Sequence, residues 1–176
     1  MRGMFFLLDA VASFFTLLFL LRFMMQLTRA SFSGQIGDFV VKLTNWAVKP
    51  LRQVIPGFAG IDWASLLAAL ALQLLLIGLI VGISGAPPGG DVPAGLVVLL
   101  FVVRGLLRLS VYILIGALIL LAVLSWVSPY SPLAPIANQL TRWLLDPIRR
   151  IVPTISGIDL SPLIALLLLQ VVLMYL

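Results

Sequence analysis

An all-α membrane protein, with about four transmembrane helices in two parallel repeats and an amphipathic interfacial helix in the loop of each, is the fold this sequence predicts. Three observations predict it. The stretch Pro50-Leu51-Arg52-Gln53-Val54-Ile55-Pro56, followed by Gly60-Ile61-Asp62, recurs as Pro147-Ile148-Arg149-Arg150-Ile151-Val152-Pro153, followed by Gly157-Ile158-Asp159. Hydrophobic residues make up 62% of the chain and charged residues 10%, and the mean hydropathy of +1.23 exceeds what a soluble core needs. The apolar runs are long enough that the bilayer must be their solvent.

The offset between the copies is constant at 97 residues (147 − 50) and extends outward through Thr44/Thr141, Trp46/Trp143 and Gln73/Gln170. A register held without a gap means one module used twice. The repeats are expected at residues 1–84 and 94–176, joined by a Gly/Pro linker at 85–93.

The first apolar run covers about residues 4–27. Arg2 precedes it, yet it is longer than the roughly 7 to 15 residues of a secretory core and has no small-residue cleavage site, so it reads as an uncleaved span. Further spans are expected near 62–83, 93–127 and 160–176. The third is too long for one perpendicular crossing of roughly 20 residues and carries Arg104 and Arg108 one turn apart. Its first half is therefore expected at the interface. Two separate spans are the alternative, although no turn signal interrupts the run.

Between the spans, Phe39, Val40, Leu43, Trp46 and Ala47 recur at helical spacing, with Lys42, Asn45 and Lys49 on the other face. The second copy sets Ile136, Leu140, Trp143 and Leu144 opposite Gln139, Arg142 and Asp146. Surface helices are thus expected at 35–50 and 132–147, each lying partly on the membrane and partly on the bundle, with Trp46 and Trp143 at headgroup level. Pro50 and Pro147 are expected to end them, and Pro56 and Pro153 to stop the basic strips that follow. Gly60 and Gly157 then permit the turn back into the membrane.

Asp62 and Asp159 stand where N-caps of the returning helices belong. Two readings fit them: helix capping alone, or ion pairing with Arg52 and Arg149 in a rigid polar site. Gln73 and Gln170 each lie 11 residues past their aspartate (73 − 62), roughly 16 Å deep at 1.5 Å per residue. A polar side chain there needs a partner. Either the glutamines hold the bundle together, or they line a polar pathway with Ser13, Thr16 and Asp9. Arg22 and Gln26 close the first span, where Arg22 is expected to snorkel to the interface.

Seven of the 11 basic residues fall in the two loops: Arg29, Lys42, Lys49 and Arg52, then Arg142, Arg149 and Arg150. The positive-inside rule places these loops in the cytoplasm and both termini on the other side. Basic strips at a membrane surface attract anionic headgroups, at about 1 kcal/mol per charge. Membrane lipids are therefore expected partners, together with another membrane protein or a second copy of the chain. The net charge of +5 and pI of 10.5 do not point to nucleic acid, because the charges sit beside apolar faces without a soluble binding fold.

Cysteine and histidine are both absent, which argues against thiolate nucleophiles, zinc and the usual haem ligand. No metal or cofactor is expected. The six acids are all aspartates, none beside a second acid or a nucleophile in sequence, so the chain reads as no enzyme.

The first span ending Leu20-Leu21-Arg22-Phe23-Met24-Met25-Gln26, the two Pro-x-Arg…Pro…Gly-Ile-Asp segments, and Ser125-Trp126-Val127-Ser128 between them resemble the YggT family over nearly the whole chain. The two-repeat form resembles its proteobacterial inner-membrane members. The first copy departs from the pattern, with Trp63-Ala64-Ser65 where the second has Leu160-Ser161-Pro162. The resemblance implies a small membrane protein without an agreed activity, linked to osmotic tolerance and potassium balance, and in relatives to cell division and thylakoid cytochrome assembly. Two functions follow as expectations. One is a scaffold or assembly factor using Lys49, Arg52, Arg149 and Arg150 as contact charges. The other is an ion channel or transporter component that needs Gln73 and Gln170 to face water.

Overall fold

A computed structural model describes residues 2–55, 57, 60–84, 93–128, 130–152 and 159–176. Their regular structure is six α-helices: α1 (Arg2–Leu27), α2 (Gln35–Val54), α3 (Trp63–Ser84), α4 (Ala94–Val127), α5 (Ala134–Ile151) and α6 (Ser161–Tyr175). Pro56, Pro153, Gly157 and residues 85–92 of the expected linker lie outside the described residues.

Stretches of α1, α3 and α4, namely Phe6–Leu27, Trp63–Ile83 and Gly95–Ser125, are long and apolar enough to cross a membrane. The expected fourth span corresponds to α6, whose 15 residues reach about 22 Å, less than the roughly 30 Å of hydrocarbon. Helix α4 runs unbroken for 34 residues. No turn separates an interfacial first half from a spanning second half, because the segment holds no proline to remove a backbone hydrogen bond. At about 51 Å it is longer than the roughly 30 Å of hydrocarbon, so as a single span it would tilt or project. Arg108 covers the Tyr112 ring at 5.9 Å and donates from Nε to its hydroxyl at 3.2 Å.

Small residues set how closely the long helices approach. Ala64, Ala68 and Ala69 on α3 are buried against Phe19 and Leu20 of α1, an arrangement that gains van der Waals contact where lipid supplies no hydrophobic drive. Helix α4 contributes to all three apolar clusters: Val102, Leu106 and Ile113 beside α1 and α3, Ala117 beside α5, and Val111, Leu114 and Leu118 beside α5 and α6. It supplies most of the contact between the copies.

Helices α2 and α5 each turn one face inward, but not quite the face their hydrophobic pattern suggests. The buried stripe of α2 is Gly37, Val40, Thr44 and Val48; Phe39 and Trp46 are exposed. In α5 it is Ile136, Ala137, Leu140, Thr141 and Leu145, with Trp143 exposed. Threonine fits the interior because its hydroxyl donates to the carbonyl one turn back, Thr44 to Val40 at 2.6 Å and Thr141 to Ala137 at 2.8 Å. Trp46 still meets Phe15 edge-on, with ring centroids 5.9 Å apart. Gly37 admits α2 to the bundle, since a Cβ there would overlap the Phe32 carbonyl.

The expected helix ends at Pro50 and Pro147 are corrected. Both prolines lie inside their helices, which continue to Val54 and Ile151. A proline ring suits helical φ, but inside a helix it removes its own N–H bond and crowds the carbonyl one turn back. What is lost is the bond to the carbonyl four residues back, that of Trp46 in α2 and Trp143 in α5. The basic strips are therefore the last helical turns, where a cation also meets the negative end of the helix dipole.

Candidate functional site: an arginine–aspartate cluster and its open counterpart

Because α2 continues past Pro50, Arg52 projects from a rigid turn toward the start of α3. Gly60, at φ +78, supplies the backbone reversal between them. Arg52 grips Asp62 with two bonds, Nη2 to Oδ2 at 2.6 Å and Nε to Oδ1 at 3.3 Å. Its Nη2 also donates to Gln26 Oε1 at 3.2 Å. Asp62 is 2% exposed and caps α3, accepting from the Ser65 hydroxyl at 2.6 Å and the Ser65 N–H at 3.4 Å. Burial disfavours its charge, but the bonds from Arg52 and Ser65 outweigh that and hold its carboxyl below the usual carboxylate range.

Arg22 does not snorkel. It is 5% exposed, and its Nη1 donates to Thr44 Oγ1 at 2.6 Å and Asn45 Oδ1 at 3.0 Å. Its Nε lies 3.7 Å from Asp62 Oδ2 and has no hydrogen-bond partner. Two guanidinium groups thus share one carboxylate, and the cluster carries one net positive charge, with Arg22 and Asp62 buried and the Arg52 side chain 43% exposed. A signal for this existed in sequence: Gln26 stands one turn beyond Arg22 on the same face, so α1 presents a polar patch inward.

The second copy builds a reduced version. Arg149 Nε donates to Asp159 Oδ2 at 2.9 Å, with the side chains 40% and 33% exposed. Ile119 and Val123 stand where Arg22 and Gln26 stand in the first copy, and Pro162 replaces Ser65. Asp159 is not the N-cap of α6, which is Leu160. It sits one residue earlier and accepts the Ser161 N–H at 2.9 Å, because Pro162 in the first turn has no N–H to offer. The bonds from Ser161 and Arg149 offset burial and lower its pKa as well. Arg142, which replaces Asn45, pairs with Asp146 one turn away at 3.3 Å.

Lys49, Trp46, Trp143 and Arg150 are all exposed on the same two helices. Trp143, Arg142 and Asp146 line a groove of about 570 Å³ with Met24, Leu27 and Thr28 of the first copy. The glutamines are not brought together. Gln73 is 8% exposed, with its Oε1 unpaired, whereas Gln170 is exposed, and α3 and α6 make no contact among the described residues. Asp9 is exposed as well, and Thr16 satisfies itself on the Ala12 carbonyl at 2.8 Å. Among the described residues no cluster of acids is placed to hold a metal ion.

The family model described as CCB3/YggT matches residues 1–83 and 99–176. An uncharacterized Pseudomonas aeruginosa protein is 39% identical over 95% of this chain and 84% of its own length. The uncharacterized protein YggT of Escherichia coli K12 is also 39% identical, over 98% of this chain and 88% of its own length. A Vibrio alginolyticus relative is 34% identical over 97% and 91%. No solved structure matches the chain. With both halves matched by one family model and relatives of this identity along nearly its whole length, the chain belongs to the CCB3/YggT family.

Proposed function

We propose that the chain is a non-enzymatic scaffold or assembly factor of a bacterial inner membrane, linked to osmotic tolerance. It presents the last turns of α2 and α5 to anionic headgroups and to a partner membrane protein. On this reading α6 is a fourth span, the α2 and α5 sides face the cytoplasm, and both termini face away. The observation that carries the proposal is a pair of exposed basic turns, Lys49 and Arg52 beside Trp46 on α2, and Arg149 and Arg150 beside Trp143 on α5. Arg52 and Arg149 are each anchored by an aspartate, so each basic turn has a defined shape as well as a charge.

The test is co-purification after cross-linking in native membranes, comparing the wild type with Arg149→Ala/Arg150→Ala. A partner that disappears from a variant still inserted in the membrane supports the scaffold. The same partners recovered in equal amounts overturn it. Potassium flux into vesicles that hold only the purified chain, lost in Gln73→Leu/Gln170→Leu, would replace the scaffold with an ion pathway.

A further inference from the structure

Where α1 meets α4 the copies join through equivalent helices, and beyond that seam they meet through unlike ones. Helix α4 packs on α1 and α3, and α5 reaches α1. Exchanging the copies would turn the α3/α4 contact into α6/α1 and the α1/α5 contact into α4/α2. Neither of those pairs touches among the described residues. Like units joined in this one-sided way leave half of the same joint unused at each end.

Both unused halves can be identified by the 97-residue offset. In the first copy the outward stripe of α3 is covered: Leu70 and Ile77 pack on the cluster that holds Val102 and Leu106 of α4. Gln73 is buried there, its Nε2 2.9 Å from where a Cβ on Gly105 would stand. The counterparts on α6 are bare: Leu167 is 56% and Met174 82% exposed, and Gln170 is exposed too. The surface equivalent to Gly105 and Leu106 is Leu8 and Asp9 of α1 (105 − 97 and 106 − 97). Leu8 is 43% exposed, and Asp9 is exposed without an ion pair among the described residues. A carboxamide and a carboxylate on apolar helices are each poorly placed against hydrocarbon, while across a helix interface they satisfy one another.

We propose that α6 of one chain packs on α1 of a second copy, as α3 packs on α4 within the chain, with the Gln170 amide donating to the Asp9 carboxylate of its neighbour. Each chain then offers one α6 face and accepts on one α1 face. Successive copies close into a ring where the rotation permits and otherwise extend as a row. The inference does not depend on what the basic turns bind.

The chain has no cysteine of its own, so directed disulfides test it. Full-length Leu8→Cys and Gln170→Cys chains, carrying different tags, are co-expressed and oxidised in membranes. A cross-linked dimer that needs both variants is expected. No dimer in the co-expressed sample, or each variant cross-linking equally well to itself, overturns the proposal. Photobleaching of singly labelled wild type at low density in bilayers is an independent readout: more than one step per spot is expected, and single steps at every density overturn it. Loss of one intramembrane hydrogen bond in Gln170→Leu lowers the association constant roughly tenfold.

Discussion

Arg22 and Asp62 face each other across 3.7 Å at the junction of α1 and α3, with their side chains 6% and 1% exposed. Arg52 completes the arrangement from α2, so one carboxylate fixes three helices relative to one another. Removing the shared acid leaves two cations facing each other without compensation.

Asp62→Ala therefore destabilises the protein by about 3 kcal/mol, a fall in Tm of roughly 6–12 °C. Asp159→Ala, which breaks a half-exposed pair, costs less than about 1 kcal/mol. Thermal unfolding of the two variants in one detergent checks the ranking. Equal losses would mean that Arg22 adds nothing.

Arg22→Ile installs the residue of the second copy at the equivalent place. It removes the excess cation and leaves Arg52–Asp62 as a neutral pair, so it destabilises less than Asp62→Ala. A double-mutant cycle over Arg22 and Asp62 gives a coupling of about 0.5–3 kcal/mol. A coupling of zero would reduce the 3.7 Å approach to coincidence.

Acid stability follows from the lowered pKa of Asp62 and Asp159. In the unfolded chain these carboxyls titrate near about 3.9, so in acid the unfolded state binds protons that the folded state still refuses. Their contribution is complete above about pH 4 and is lost as pH falls through the depressed folded values. Unfolding measured between neutral and acid pH shows a flat region and then a decline. Asp62→Asn removes the larger share of that decline, and a second change, Asp159→Asn, removes the remainder these two carboxyls supply.

Gly37→Ala is the test of how α2 enters the bundle. The added methyl meets backbone rather than a flexible side chain, so the loss is about 1–3 kcal/mol. Ala134 holds the equivalent place in α5, and Ala134→Gly costs no more than about 1 kcal/mol. Circular dichroism melts distinguish the two.

Much of this architecture was legible in sequence because duplication and hydropathy are strong signals. The pairing of Arg52 with Asp62 and of Arg149 with Asp159 could be read as one of two options, from the fixed interval between a basic turn and a cap. What stayed hidden depends on rotation about helix axes. Thr44 and Thr141 looked neutral yet are as fully buried as Val48 and Leu145 on the same helices, since each hydroxyl is satisfied locally. Arg22 looked like an interfacial anchor because a span end is where arginines usually escape to water. Pro50 and Pro147 looked like stops, although the hydrogen bond each one forfeits is affordable on an exposed helix face. The divergence of Gln73 and Gln170 could not be read at all, because identical residues in a duplicated chain meet different neighbours where the copies join by unlike faces.

The prolines inside α2 and α5 have a consequence at the water boundary. Each strips one carbonyl of its intrahelical donor, and each time it is the carbonyl of the exposed tryptophan on the same turn. An indole that donates and a carbonyl that can only accept are thereby fixed on one turn of each helix. Such a turn sits most comfortably where water, ammonium and phosphate groups are within reach, and it resists being drawn deeper or lifted clear. On the proposed placement at the membrane surface, the two helices act as paired floats, and the depth they select sets the height at which the arginine turns beyond them are held.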